Sequence, residues 1–383
     1  MTNTISGDEL AALIQNVFHP RHDDRALAIM VDLPDAAVPD SEPWRQRREL
    51  AEEWMNSLAP LRDSLGLDLR LCVYRNARAN NAELPERAWL LDAPPIPSKT
   101  EDLDPAGSVP FSRIFQDHSI LIALTEFSAT APLKLAARSF PIRAATMPGF
   151  EPAMIPALRL DYEEINRRVC RLKGILDRAE RAELDFEAAG ARHSLVLDLR
   201  HRTGHASGGL IREPGTAGNL PSGEAYIVPY EGEIEGEPSM SAGELPVQFG
   251  DEVVLYEIRG NRALRTYGTG AAALAEAERL AREPAYGNLA ELGIGVLSAF
   301  GVQPCGSLLL DEKLGLHIAF GRSDHFGGRV GPRDFSVPEA VVHIDRVYLP
   351  SVQPRVRVRR VDLYGPAGEF TALIRDDLFV IRF

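Results

Sequence analysis

Apolar runs change their spacing near residue 155, and the change separates two kinds of architecture along the chain. Before it, ALAIMVDLP (26 to 34), LDLRLCVY (67 to 74) and HSILIALTE (118 to 126) are set far apart, with helical periodicity from about Pro43 to Leu61. Strands separated by helices favour parallel pairing through right-handed crossovers. Residues 1–155 are therefore expected to form a small open α/β domain. Beyond it, HSLVLDLR (193 to 200), EAYIVPYEGEIEG, DEVVLYEIRG, RALRTYG, GLHIAFG, VVHIDRVYL, RVRVRRVDLYG and FTALIRDDLFVIRF follow closely, bounded by Gly, Pro, Asn and Asp. With one helix at AAALAEAERLAR (271 to 282), residues 156–383 are expected to form a β-rich domain, placing the chain in the mixed α/β, α+β class.

A helix is expected at DYEEINRRVCRLKGILDRAE, where Ile165, Val169, Leu172 and Leu176 make one apolar stripe and acidic residues favour the N-terminal turn. It is the candidate connection between the domains. Residues 76–111 are rich in proline and acidic residues and predict a linker or rim loop without regular structure.

The net charge of −13 and the absence of a Lys/Arg cluster interleaved with aromatics argue against nucleic-acid binding. RVRVRR (355 to 360) predicts a strand with a basic solvated face rather than an anion site. Cys72, Cys170 and Cys305 form no CxxC pair and predict buried thiols of a reducing compartment. The N-terminus lacks the pattern of a signal peptide, and no apolar run reaches the ~18 to 20 residues of a membrane span. A cytoplasmic protein without membrane association is expected. GxGxxG, GxSxG, HExxH and Walker-type motifs are absent from the sequence. His201 and His205 in HRTGHASGG lie four apart in a stretch whose Gly and Ser predict a surface loop, not a metal-binding helix face.

The second half holds carboxylates and imidazoles suited to hard divalent ions. Glu224 follows a Pro-Ser-Gly turn, Glu291 opens ELGIG, His317 lies in DEKLGLHIAFG, and His343 and Asp345 form an HxD pair in VVHIDRV. On a strand the last two project from the same face, as two ligands or as a ligand and its orienting partner. Taken singly, each also fits an ordinary role: a turn carboxylate, a satisfied core histidine, a hydrogen-bonded surface pair.

NLPSGEAYIVP, ELGIG, LLLDEKLGLHIAFGRS and VVHIDRV, in that order and spacing, resemble the aminopeptidase T family of thermophilic metallo-aminopeptidases, as does RAATMPG with DYEEIN. The resemblance covers about residues 140–350. It implies that Glu224, Glu291, His317, His343 and Asp345 hold two divalent ions (Zn, Co or Mn). It also implies a homodimer with an N-terminal α/β domain, a β-rich catalytic domain and a cavity for small peptides. Where the family usually has a tyrosine thought to assist catalysis, this chain has Asp324 followed by His325. A neutral or charged imidazole at His325 can donate to a developing oxyanion, which an ionised Asp324 cannot.

The expected activity is a metal-dependent hydrolase that removes N-terminal residues from small peptides, with Glu224 or Glu291 as proton shuttle and Glu291 bridging the ions. Two alternatives remain. One is a mononuclear iron ring-cleaving dioxygenase, built on His317 or a nearby histidine with His343 and Asp345 and resembling dihydroxypyridine dioxygenases. The other is a catalytically inactive family member that serves as a binding protein.

Overall fold

The computed structural model describes residues 3–381 and Phe383. The chain forms two compact units, one running to Asn166 and including Gly209–Ser222, the other comprising Arg167–Gly208 and Gly223–Phe383. A mixed α/β architecture is thus observed, with one seven-stranded, one five-stranded and one eight-stranded sheet.

In the first unit the strand order is Thr216–Asn219, Arg143–Thr146, Ile120–Ala123, Ala26–Leu33, Asp68–Arg75, Arg87–Leu91, Val109–Pro110. The first five pair in parallel, as the strand–helix alternation predicts for Ala26–Leu33, Asp68–Arg75 and Ile120–Ala123. Ala26–Leu33 is buried at every position, which is why it reads as an unbroken apolar run: a central parallel strand has both faces covered. The helix Glu42–Leu58 is capped by the Ser41 hydroxyl, carries Pro43 in its first turn, and buries Trp44, Leu50, Trp54, Met55 and Leu58. A proline there costs nothing, because its N–H would have no intrahelical partner.

Two expectations for this half need correction. Residues 76–111 are not devoid of regular structure, since Arg87–Leu91 pairs antiparallel with Asp68–Arg75 and sets Leu91 beside Leu71 and Trp89 beside Val73. A short apolar strand between prolines lacks the length to signal itself, and the paired neighbour supplies what the local pattern does not. The boundary near residue 155 also does not partition the chain cleanly. Residues 209–222 return to the first unit, where Thr216–Asn219 extends the parallel sheet beside Arg143–Thr146.

The helix Tyr162–Leu176 carries the chain past Asn166 into the second unit. Its stripe of Ile165, Val169, Leu172 and Leu176 is fully buried, and each such side chain contributes about 1.5–3 kcal/mol relative to exposure. The second unit holds an eight-stranded antiparallel sheet from Arg181–Ala188 to Leu378–Phe379. In Val356–Tyr364, Val356, Val358 and Val361 are buried. Arg357 pairs with Asp377, Arg359 with Glu187, and Arg360 with Asp185. The basic face is thus neutralised by carboxylates rather than kept for an anion.

The five-stranded antiparallel sheet runs His343–Val347, Leu316–Gly321, Leu289–Gly295, Glu224–Ile227, His205–Ser207. One face sends Ala225, Ile227, Leu292, Ile294, Ile318 and Phe320 into the core, where Phe320 packs on Tyr256 and Tyr286 with ring centroids 5.0 and 5.7 Å apart. The period of two then places the polar residues of these strands together on the other face. Of the cysteines, only Cys72 is buried as expected, while Cys170 is exposed and Cys305 intermediate. Among the described residues no helix is long and apolar enough to cross a membrane.

Candidate metal centre

Each ligand candidate comes from a different position on that polar face. Glu224 begins its strand opposite Gly295 and Ser207. Glu291 is followed by Gly293 and Gly295, and the register aligns Gly293 with His317 and Ala319 with both Glu291 and Asp345. His343 lies two residues before Asp345 on the edge strand. The residues between the ligands are small, so nothing separates the carboxylates from the imidazoles.

Two glycines are required by close approach. A Cβ at Gly293 would lie 1.8 Å from His317 Nε2, so the imidazole occupies the space a side chain would fill. A Cβ at Gly295 would lie 2.1 Å from the backbone carbon of Lys313, and the bare backbone lets the 312–313 turn press down onto the site. There the buried Lys313 ammonium donates to Glu224 Oε1 at 2.6 Å and also to Glu312. Glu224 Oε2, fully buried, makes no hydrogen bond among the described residues.

Glu291 lies at the centre. Its Oε1 is 3.1 Å from His317 Nε2, and its Oε2 is 3.4 Å from His343 Nε2. His317 Nε2 is also 3.5 Å from Glu224 Oε2, and His343 Nε2 3.5 Å from Asp345 Oδ1. Two groups of three ligand atoms result, Glu224–Glu291–His317 and Glu291–His343–Asp345, each gathered within 4.8 Å and sharing Glu291. The ring nitrogens on the other side face backbone carbonyls, His317 Nδ1 at 3.4 Å from Gly315 O and His343 Nδ1 at 2.8 Å from Arg322 O. A carbonyl can only accept, so each Nδ1 donates, which turns the Nε2 lone pair of the neutral ring toward the carboxylates. That arrangement orients an imidazole for a metal.

Lone pairs facing carboxylate oxygens require a positive charge between them. In the protein alone, protons supply it. Burial opposes charging His317, yet Glu291, with Glu224 and Asp345, raises its pKa to about 9. His343 is raised well above the usual range, burial being outweighed by Asp345 and Glu291. Against burial, the same imidazoles hold the Glu291 and Asp345 carboxyls below the ordinary carboxylate range. Glu312 is pushed up to about 8, chiefly by burial. Three carboxylates and two imidazoles at such distances, with an orphaned oxygen on Glu224 and a cradle at Gly293, fit hard or borderline divalent cations.

The two remaining candidates lie beside this cluster. His325 is an exposed residue, its side chain 34% accessible, with its ring 5.3 Å from His343 and 3.9 Å from Phe326. Burial, and then the charges of His343 and Arg322, lower its pKa to about 4, so the ring is neutral at neutral pH. Asp324 accepts from Arg322 Nε at 2.6 Å and belongs to neither ligand group. His201 and His205 do not come together as a metal pair: His201 lies 3.0 Å from Glu237, whereas His205 sits in a strand and stacks on Tyr226. In place of the expected loop, His205–Ser207 is an edge strand, because His205 pairs with Tyr226 and Ala206 with Ala225 despite the glycine and serine neighbours.

Lys313, Glu312 and Tyr226 join the site without a motif that marks them in the sequence. Burial of Lys313 is foreshadowed by DEK abutting an apolar strand, but its contact with Glu224, 89 residues away, depends on cross-strand register. For Tyr226 a local signal existed, since it lies two residues after Glu224 on the same strand face.

No family model and no curated protein matches the sequence. Among solved structures, the chain is similar to 2,5-dihydroxypyridine dioxygenase from Pseudomonas putida KT2440, with a TM-score of 0.60, 14% identity and 99% of each chain covered. It is also similar to AmpT, aminopeptidase T, from Thermus thermophilus, with a TM-score of 0.54, 16% identity, and 98% of this chain and 99% of that chain covered. At these identities the likeness is one of fold, a two-unit mixed α/β fold found in enzymes of two different chemistries.

Proposed function

We propose that the protein is a metallo-hydrolase that removes N-terminal residues from small peptides. The observation that carries this function is the placement of Glu291, whose two oxygens face two separate imidazoles and join two ligand trios. A shared carboxylate of this kind is what a site for paired ions needs. Glu224, Glu291 and His317 would hold one ion; Glu291, His343 and Asp345 would hold the other. Two divalent ions would supply an acidified water and a polarised scissile carbonyl. Lys313 fixes one oxygen of Glu224 and leaves the other directed into the cluster, and the Gly315 and Arg322 carbonyls hold the imidazoles in register. Homodimeric assembly belongs to the same proposal.

The fold likeness to a dioxygenase supports a second reading, a mononuclear iron site. Such a site needs two imidazoles and one carboxylate around one ion. His317 and His343 fall into different trios among the described residues, which favours the paired-ion hydrolase.

The test is elemental analysis of anaerobically purified protein, wild type beside Glu291→Ala, with amine release from a panel of aminoacyl substrates. About two ions per chain and hydrolysis, both lost in the variant, are expected. One iron per chain without hydrolysis would transfer the assignment to the dioxygenase, and protein without metal would favour a binding role.

A further inference from the structure

Tyr226 shares the polar sheet face with Glu224 and pairs in register with Gly293, whose neighbour on the following strand is His317. Because Gly293 has no side chain and the His317 ring fills its place, the Tyr226 backbone stands one strand spacing, about 4.8 Å, from the strand position over which that ring lies. Its ring is clamped. His205 stacks on it with centroids 5.1 Å apart and planes 19° from parallel, and Phe326 packs against it at 4.8 Å. The clamp is itself tied by a 2.9 Å hydrogen bond from His205 Nε2 to the Phe326 carbonyl.

Packing explains the ring but not the hydroxyl. Tyr162, Tyr256, Tyr286 and Tyr348 are buried elsewhere, and each donates to an acceptor within the protein. The Tyr226 hydroxyl has no hydrogen-bond partner among the described residues, yet is not sealed from solvent. Lys313 is committed to Glu224 and Glu312, and the Nδ1 atoms of His317 and His343 to backbone carbonyls.

We propose that Tyr226 is a catalytic residue whose hydroxyl donates a hydrogen bond to the scissile carbonyl oxygen as that oxygen gains negative charge, given the hydrolase function proposed above. The phenol keeps its proton throughout. The hydrogen bond strengthens as the carbon becomes tetrahedral, and that difference between ground and transition state accelerates the reaction.

Tyr226→Phe retains the stacked ring and removes only the donor. Its expected effect is a loss of about 10²- to 10³-fold in kcat, with KM changed only a few-fold and metal content and melting temperature as in wild type. Binding of the aminophosphonate analogue of leucine, whose tetrahedral phosphonate stands for the attacked carbonyl, is measured alongside by calorimetry. It is expected to weaken at least tenfold in the variant. Wild-type rate and wild-type phosphonate affinity in Tyr226→Phe would overturn the proposal. A phosphonate that discriminates between the two proteins, with no amine released by wild type from any aminoacyl substrate, would uphold the Tyr226 donor and reject the peptidase function.

Discussion

On the proposed paired-ion site, adding one methyl group at Gly293 should remove one ion and leave the other. A Cβ there lies 1.8 Å from His317 Nε2, 2.2 Å from Cε1 and 2.5 Å from Cδ2, where ordinary contact begins near 3.4 Å. The imidazole must therefore retreat by about 1.6 Å, several times the ~0.2 Å by which metal–ligand distances vary in real sites. The strand cannot yield instead, since Gly293 is held in register with Tyr226 on one side and His317 on the other. Glu291, His343 and Asp345 form their trio without His317. Gly293→Ala should accordingly fall from about two ions per chain to about one by elemental analysis, and a zinc titration should show a single tight class of site. The overpacking should cost about 1–3 kcal/mol of stability, read by chemical denaturation. Gly174→Ala serves as control, because its Cβ meets nothing closer than 3.7 Å, and it should keep wild-type metal content. Two tight ions in Gly293→Ala would refute the placement of His317 as a ligand.

Two further perturbations separate the units. Lys313→Met leaves the buried Glu224 and the partly buried Glu312 without their shared cation; the metal-free protein should lose about 3–5 kcal/mol of stability by calorimetry, and added divalent ions should recover part of it. In the first unit, Asp24 is pushed up by burial but held below the usual carboxylate range by donors from Arg21, Ser119 and Arg143. With the folded pKa lowered, its stabilisation is present above the unfolded pKa of about 3.9 and is lost as pH falls through the folded value. Asp24→Asn should therefore cost most near pH 6 and progressively less toward pH 2. Trp44, Trp54 and Trp89 all lie in the first unit, so tryptophan fluorescence in urea follows this unit alone. A cost independent of pH would contradict the assignment.

Periodicity alone determined the strands Ala26–Leu33, Asp68–Arg75 and Ile120–Ala123, the buried stripe of the helix Tyr162–Leu176, and the shared face of His343 and Asp345, because each depends on alternation within one segment. The convergence of Glu224, Glu291 and His317 was legible as a set of candidate ligands drawn from motif order, but not as a geometry. That Glu291 presents one oxygen to each imidazole follows from the register of antiparallel strands, and a shift of one residue would turn its side chain into the core. Lys313 meets Glu224, and Tyr226 comes to lie opposite Gly293, only through such pairing. The return of residues 209–222 to the first sheet likewise rests on backbone hydrogen bonds to Arg143–Thr146, which any extended segment can make and which leave no mark in side-chain pattern. Local sequence chose the elements and their faces; tertiary pairing chose which side chains share a charge.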